Sequence, residues 1–274
     1  MSFLGNFEDM QRPIHNISII GSGNVATVLG RILFRNGFVI NQIVSRNPVT
    51  GKKLADELEA NYVDFSGRFH PESDLYIIAI SDSAILSCLS FLSGFEKMVV
   101  HTAASVPMEV LKEVSNEYGV IYPLQSLNKE SKEVPEIPFF YSSNNIENEE
   151  IIKSTLLKIS NKVTKASNEE RIKYHVAAVM VCNFTNHFYA LAEAFCKRES
   201  LDFSNLIPLI EETAFRVRNT SPALLQTGPA VRKDDITMGK HIDLLKKDQG
   251  LQSLYKMISQ SIIEFNDRFT DKEK

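Results

Sequence analysis

The chain has few cysteines, no long apolar run and no surplus of positive charge, and each shortage excludes a class of protein. Its three cysteines, Cys88, Cys182 and Cys196, are unevenly spaced in apolar surroundings. On one helix Cys182 and Cys196 would stand about 21 Å apart, too far to bridge. They read as reduced core thiols of a cytoplasmic protein, not as a disulfide framework. No apolar stretch approaches the ~18 residues of a membrane span. The first residues carry Glu8 and Asp9 and no apolar segment, so they do not read as a secretion signal. A net charge of −4 gives no basic field for nucleic acid, and no lysine-rich stripe appears. Neither an internal repeat nor a low-complexity linker interrupts the 274 residues, enough for one large or two ordinary domains. With 43% hydrophobic and 23% charged residues, the composition is that of a globular protein in water.

What is present begins with Asn16-Ile17-Ser18-Ile19-Ile20-Gly21-Ser22-Gly23-Asn24-Val25-Ala26. A β-branched run ends in Gly-x-Gly-x-x-Ala, and an amphipathic segment follows with apolar residues at Val25, Val28, Leu29, Ile32 and Leu33. Strand, tight turn and helix N-terminus in that order suit a pyrophosphate. Gly21 permits the turn, Gly23 lets a ligand approach the backbone, and the small Ala26 lets helix and strand pack closely. The free N–H groups of residues 23–26 then face the phosphates. The competing reading is a merely structural turn. Gly37 caps the helix, and Phe38 to Val44 reads as the second strand of a βαβ unit.

A further absence follows. An NAD site usually carries Asp or Glu about 20 residues past the glycines to hold the ribose 2′-hydroxyl. From Ser22 to Ala55 there is neither; the strand end offers Ser45-Arg46-Asn47. An arginine without a carboxylate favours the 2′-phosphate of NADP, which a guanidinium can grip with two hydrogen bonds. A solvated surface arginine is the alternative.

Helical and strand patterns then alternate. Lys52 to Glu59 reads as a helix and Tyr62 to Phe65 as a short strand. Asp74 to Ile80 reads as a central buried strand, followed by a helix from Ala84 to Leu92. Further strands are expected over Lys97 to Ala103, Gly119 to Tyr122, Pro138 to Ser142 and Lys162 to Ala166, with a helix over Glu147 to Lys158. This describes an α/β fold with a doubly wound, mostly parallel sheet. Ligands bind beyond the carboxyl ends of such strands, which nominates Ser81, His101, Ala103, Gln125 and Ser126. Asp82 has an N-cap as its plain alternative. Strand patterns stop near residue 165, so the expected domains are 1–165 for the nucleotide and 166–274, all helical, for substrate and dimerisation. The polar end from Asp267 to Lys274 is expected to fray.

Asn168 to Arg198 carries the longest helical pattern, about 45 Å. It is apolar almost all round and so is expected to be buried in a domain or subunit interface. His175, Asn183, Asn186 and His187 fall within a sector of about 120°, a polar stripe that needs a substrate or a facing element as partner. A second cluster runs from Thr227 to His241. There Asp234, Thr237 and His241 share a helix face, and Arg232 is placed to hold a carboxylate or phosphate. Its bland reading makes Asp234 an N-cap, Arg232 a salt-bridge partner and His241 a surface residue. A metal site from His175, His187 and His241 is the weakest reading, because no two ligands are closely spaced.

These residues carry a resemblance. Gly21 to Ala26 with Ser45-Arg46-Asn47 resembles the NADP-binding domain of pyrroline-5-carboxylate reductase and of deazaflavin-dependent NADP oxidoreductases. Over nearly its whole length the chain resembles an uncharacterised bacterial family of Rossmann-like proteins with its own helical C-terminal domain. That family shows Tyr122-Pro123-Leu124-Gln125-Ser126, Tyr174-His175 with Ala177, Ala178 and Asn183, and Gly228-Pro229-Ala230 with Arg232, Asp234, Thr237 and His241. The resemblance implies the fold, NADP and a homodimer through the helical domain, not a substrate. β-Hydroxyacid dehydrogenases place Lys and Asn four residues apart on the interdomain helix. Here Ala177 lies four after Lys173, and Val179 four before Asn183, so their type of reaction is not supported.

The expected function is that of a cytoplasmic NADP-dependent oxidoreductase, transferring hydride to or from a small polar carbonyl or imine substrate in an interdomain cleft. His175 is the first expected general acid/base, with His241 second. Asn183, Gln125 and Ser126 would position the substrate, and Arg232, with Asp234 and Thr237, would hold its polar groups. Gly21, Ser22, Gly23, Asn24, Val25, Ser45, Arg46, Asn47, Ser81, Asp82 and Ala103 would hold the cofactor. The rival is a dinucleotide-binding sensor or scaffold without turnover. No nucleic acid, membrane or metal is expected.

Overall fold

The structure, a computed structural model, describes residues 13–270 apart from 68, 90, 91, 93–95 and 132. Glu8 and Asp9, and the last four residues of the expected polar end, lie outside the described residues.

Eight strands form one sheet in the order β3-β2-β1-β4-β5-β6-β7-β8. They are β1 (Asn16–Ile20), β2 (Val39–Val44), β3 (Asn61–Val63), β4 (Leu75–Ile78), β5 (Met98–His101), β6 (Tyr118–Pro123), β7 (Phe139–Ser143) and β8 (Val163–Lys165). The first six run parallel, β7 is antiparallel to β6, and β8 runs parallel to β7. The doubly wound, mostly parallel sheet is therefore the fold. Ile17 and Ile19 enter one core with Leu29 and Leu33, while Ile20, Ile78 and Val99 enter a second. Alternation thus buries both faces of the central strands, as their continuous apolar runs require. Each such side chain is worth ~1.5–3 kcal/mol of burial.

Helices α1 (Asn24–Arg35), α2 (Pro48–Glu57), α3 (Asp82–Cys88) and α4 (Ile146–Leu157) connect the strands. α2 starts four residues before the expected Lys52, because Asn47 Oδ1 accepts from the N–H groups of Val49 and Thr50 and Pro48 occupies the first turn. α3 ends at Cys88, short of the expected Leu92, and residues 90 and 91 of that expectation lie outside the described residues. Asp74, expected inside the β4 strand, instead accepts the N–H groups of His15 and Asn16 at the start of β1.

The long helical stretch is not one α-helix. α5 (Asn168–Ala178) leads into a π-helical segment (Val179–Phe184), and α6 (Thr185–Arg198) follows. A capping box between Ser167 and Glu170 sets its start. Nor is it buried within the chain: Val176 is 51% exposed, Met180 56% and Val181 76%.

The chain divides into two compact units between Phe184 and Thr185, later than the end of the strand patterns, because α5 goes with the sheet. The second unit contains α6, a 3₁₀ turn (Phe203–Leu206), α7 (Ile207–Arg216), α8 (Pro222–Leu225), α9 (Asp235–Leu244) and α10 (Gln249–Thr270). Its buried apolar residues among those described are Cys196, Ala230, Met238 and Leu245 alone. No described helix is long and apolar enough to cross a membrane.

Candidate functional site

Strand order reverses between β1 and β4, and the carboxyl ends of β1, β2, β4 and β5 surround a recess of about 460 Å³ there. Gly21 turns the chain out of β1 with φ +129°, and a Cβ on it would lie 2.2 Å from the Ala79 carbonyl oxygen. Gly23 differs: a Cβ there would meet nothing within 4 Å, because the residue faces the recess. No side chain caps α1, and its first turn carries no acid. Its leading N–H groups are therefore open to an anion.

All eleven residues expected at a cofactor line this recess: Gly21 to Val25 in the turn, Ser45, Arg46 and Asn47 after β2, Ser81 and Asp82 after β4, and Ala103 after β5. Phe65, Ala79, Ile80, Ala84 and Thr102, which carry no motif, complete it. Hydroxyls organise its wall at the end of β2. Ser22 Oγ lies 2.7 Å from both Ser45 Oγ and Thr50 Oγ1, and the Asn47 N–H donates to Ser45 Oγ. Arg46 is exposed, and among the described residues no hydrogen bond or ion pair holds it. Asn24 Oδ1 accepts the Lys129 N–H at 3.3 Å, while Arg31 pairs with Glu57 at 2.6 Å and bonds the Lys129 carbonyl. Asp82 is the first residue of α3 rather than its cap, and its carboxylate accepts from the Ser105 hydroxyl and N–H.

The end of β5 conceals two buried nitrogen-bearing side chains, His101 and Arg171. His101, expected near the ligand, is fully buried and does not line the recess. Its Nδ1 accepts the Ala103 N–H at 3.2 Å; Nε2 reaches no partner at normal geometry, and the Pro107 carbonyl offers it only a weak one. Burial, with the Arg171 charge in second place, pushes its pKa down to about 4. Arg171 of α5 is 1% exposed. It donates to the carbonyls of Ala104 and Val106 and to Asn168 Oδ1, which docks α5 against the loop after β5, while Nη1 has no partner.

One strand further along, Tyr122 is the penultimate residue of β6 and its hydroxyl meets His175 Nδ1 at 3.0 Å. Tyr122 belongs to a motif of the sequence that carries no expected role for it; a tyrosine at a parallel strand's carboxyl end is the signal that points to one. His175 itself is exposed, as are Asn183 in the π-helical segment and Asn186 and His187 on α6. Gln125 and Ser126 are exposed too, and Ser126 lines a separate recess of about 230 Å³ with Val28 and Leu127.

In the helical unit Asp234 is the N-cap of α9, accepting from the N–H and hydroxyl of Thr237. Those bonds hold its carboxyl below the usual range. His241 bonds the Tyr255 hydroxyl at 2.8 Å, on the wall of an apolar cavity of about 690 Å³ that includes Phe188, Phe195 and Leu254. Arg232 is exposed. Among the described residues no three His, Cys, Asp or Glu side chains are grouped to hold a metal.

Comparison with known proteins agrees with this layout. Residues 16–105 match the family described as NADP oxidoreductase coenzyme F420-dependent, and residues 137–262 match the domain of unknown function DUF2520. No curated protein matches. Among solved structures, the Bacteroides fragilis protein BF3122, provisionally named an NADP oxidoreductase, is 40% identical. The match covers 92% of this chain and 98% of that one with a TM-score of 0.86. A 1-pyrroline-5-carboxylate reductase from Streptococcus pyogenes is 17% identical, with 92% and 98% covered and a TM-score of 0.60. An imine reductase from Myxococcus stipitatus, solved with NADP+, is 13% identical, with 93% and 94% covered and a TM-score of 0.61. The latter two share the fold.

Proposed function

We propose an NADP-dependent oxidoreductase acting on a small polar carbonyl or imine, and the premise is plain: the chain belongs to the family of the Bacteroides fragilis protein BF3122. The observation that carries the reading is the single recess shared by the glycine turn, Arg46 and the ends of β4 and β5. The N–H groups at the start of α1 take the pyrophosphate, and Gly23 leaves the space for it. Arg46, without a hydrogen-bond or ion-pair partner among the described residues and without an acidic neighbour at the strand end, takes the 2′-phosphate. Ser81, Asp82 and Ala103 border the other end. Bound NADPH supplies the hydride. His175 supplies the proton as general acid, with His241 second. Asn183, Gln125 and Ser126 orient the substrate, and Arg232, Asp234 and Thr237 hold its polar groups. Residues 1–165 carry the cofactor, and residues 166–274 carry substrate contacts and dimerisation. Three unpaired thiols fit the reducing cytoplasm.

The partner we propose is a second copy. Among the described residues the helical unit has four buried apolar side chains, whereas Leu209, Phe215, Leu224, Met257 and Phe265 are each more than half exposed. So small a core does not stabilise a unit of that size, and exposed apolar surface of that extent marks an interface.

Titration calorimetry with NADPH and NADH, then a screen of carbonyls and imines on the same sample, tests the reading. NADPH should bind at least tenfold more tightly, a difference of ~1.4 kcal/mol, and Arg46→Ala should remove that preference. His175→Ala should abolish turnover and leave NADPH binding intact. Equal affinity for both nucleotides refutes the Arg46 assignment, and NADPH binding with no substrate turned over points to a sensor.

A further inference from the structure

Tyr122 is 8% exposed, and a buried phenol needs a hydrogen-bond partner. Its ring is stacked on Phe140, with centroids 6.5 Å apart and planes at 17°, and Tyr174 packs on Phe140 at 4.5 Å. The hydroxyl is therefore fixed in space, at the carboxyl end of a strand next to the one that brings Ala103 to the recess. What it meets is Nδ1 of His175, at 3.0 Å, with the imidazole edge-on at 76°. His175 as a residue is exposed. One ring nitrogen is thus engaged by Tyr122, and among the described residues no hydrogen bond engages the other.

The charges around the pair are Asp82 and Arg171. Burial first, then the Asp82 carboxylate, raise the Tyr122 hydroxyl above its usual pKa, and the Arg171 guanidinium opposes them. The phenol stays protonated at neutral pH and donates to Nδ1. A neutral ring whose Nδ1 accepts carries its proton on Nε2. When the ring is cationic, the hydroxyl can rotate and accept from Nδ1–H, because a phenol both donates and accepts. In either state Nε2–H points away from Tyr122.

We infer that Tyr122 is a positioning residue for the reaction proposed above, holding His175 so that Nε2–H alone is presented to the substrate's carbonyl oxygen or imine nitrogen. The inference rests on the reading of His175 as the proton donor. In the reduction, a hydride lost from NADPH, which is thereby oxidised to NADP+, would form the new C–H bond as the C=O or C=N π bond opens. The Nε2–H proton of the imidazolium moves to the oxygen or nitrogen. The remaining ring proton, on Nδ1, stays bonded to the Tyr122 oxygen. The imidazolium is restored by a proton from water. Tyr122 gains and loses nothing, so its role is geometric.

Two-bond ¹H–¹⁵N correlation spectra of histidine-labelled protein read the tautomer directly, with His175→Gln assigning the signal among the six histidines. In the full-length protein the neutral His175 ring should be a single Nε2–H tautomer. Tyr122→Phe should relax it into an exchanging mixture, lower kcat tenfold or more and leave KM and NADPH affinity within about threefold. Tyr122→Phe keeps the ring and its packing, so a merely structural role would leave the tautomer signal unmoved. An Nδ1–H tautomer in the unmodified protein, or an unchanged spectrum in Tyr122→Phe, overturns the inference. A changed spectrum alongside full turnover by His175→Ala overturns the proton-donor reading instead, and with it the catalytic meaning of the pair.

Discussion

His101 and Arg171 illustrate how little a residue's type says about its use. His101 was expected at a strand end near the ligand and Arg171 lies on the long helical stretch, yet both are buried and tied to backbone rather than turned to the recess. His101 has a consequence for stability. Its folded pKa of about 4 lies below the unfolded value of ~6.5, so the unfolded chain binds more protons between those limits. Its contribution is complete above pH 6.5 and is lost as pH falls toward 4, by at most ~1.4 kcal/mol per pH unit. Urea unfolding at pH 7.0, 5.5 and 4.5 should show this fall, and His101→Gln should flatten it. Parallel curves for the two proteins would show that His101 does not titrate in this way.

At the scale of elements, the β1–turn–α1 unit was legible because its determinants are local. β-Branched residues, Gly21 and Gly23 and the helical spacing of Val25 to Leu33 all act within twenty residues. The two glycines separate structure from ligand. Gly21→Ala combines an unfavourable φ of +129° with a Cβ 2.2 Å from the Ala79 oxygen, so thermal melting should fall by several degrees. Gly23→Val meets no protein atom at Cβ, so the protein should fold normally and lose NADPH affinity tenfold or more. If calorimetry finds affinity unchanged in Gly23→Val, the recess does not hold the pyrophosphate. The long helical pattern does not reveal its interior, since a π-helical segment at Val179–Phe184 has no signature in hydrophobic spacing. Such segments concentrate at functional sites, which supports the proposed substrate contact of Asn183. In the second cluster Asp234 caps α9 and accepts from Thr237, so the two proposed substrate contacts hold each other in place.

For the whole molecule, the balance of buried and exposed apolar surface is uneven. The sheet unit has two large cores, whereas the helical unit leaves Leu209, Leu224 and Met257 each about two thirds exposed. Light scattering after size exclusion should give about twice the 30.9 kDa chain mass. Paired Leu209→Asp and Met257→Asp substitutions should give monomer or insoluble protein. A monodisperse monomer of the unmodified protein would remove the proposed second copy.

Local order along the chain was enough for the glycine turn, the acid-free strand end with Arg46, and the alternation that makes a parallel sheet, because each depends on neighbours in sequence. Folding alone settled which distant residues meet. The strand order puts the end of β6 beside that of β5, so Tyr122 and His175, 53 positions apart, come within 3.0 Å. The same order leaves Ser126 in a different recess from Ala103. Burial of Arg171 against the Ala104 and Val106 carbonyls then docks α5 to the sheet. Such pairings are set by the packing of the whole core, and no window of the sequence contains them.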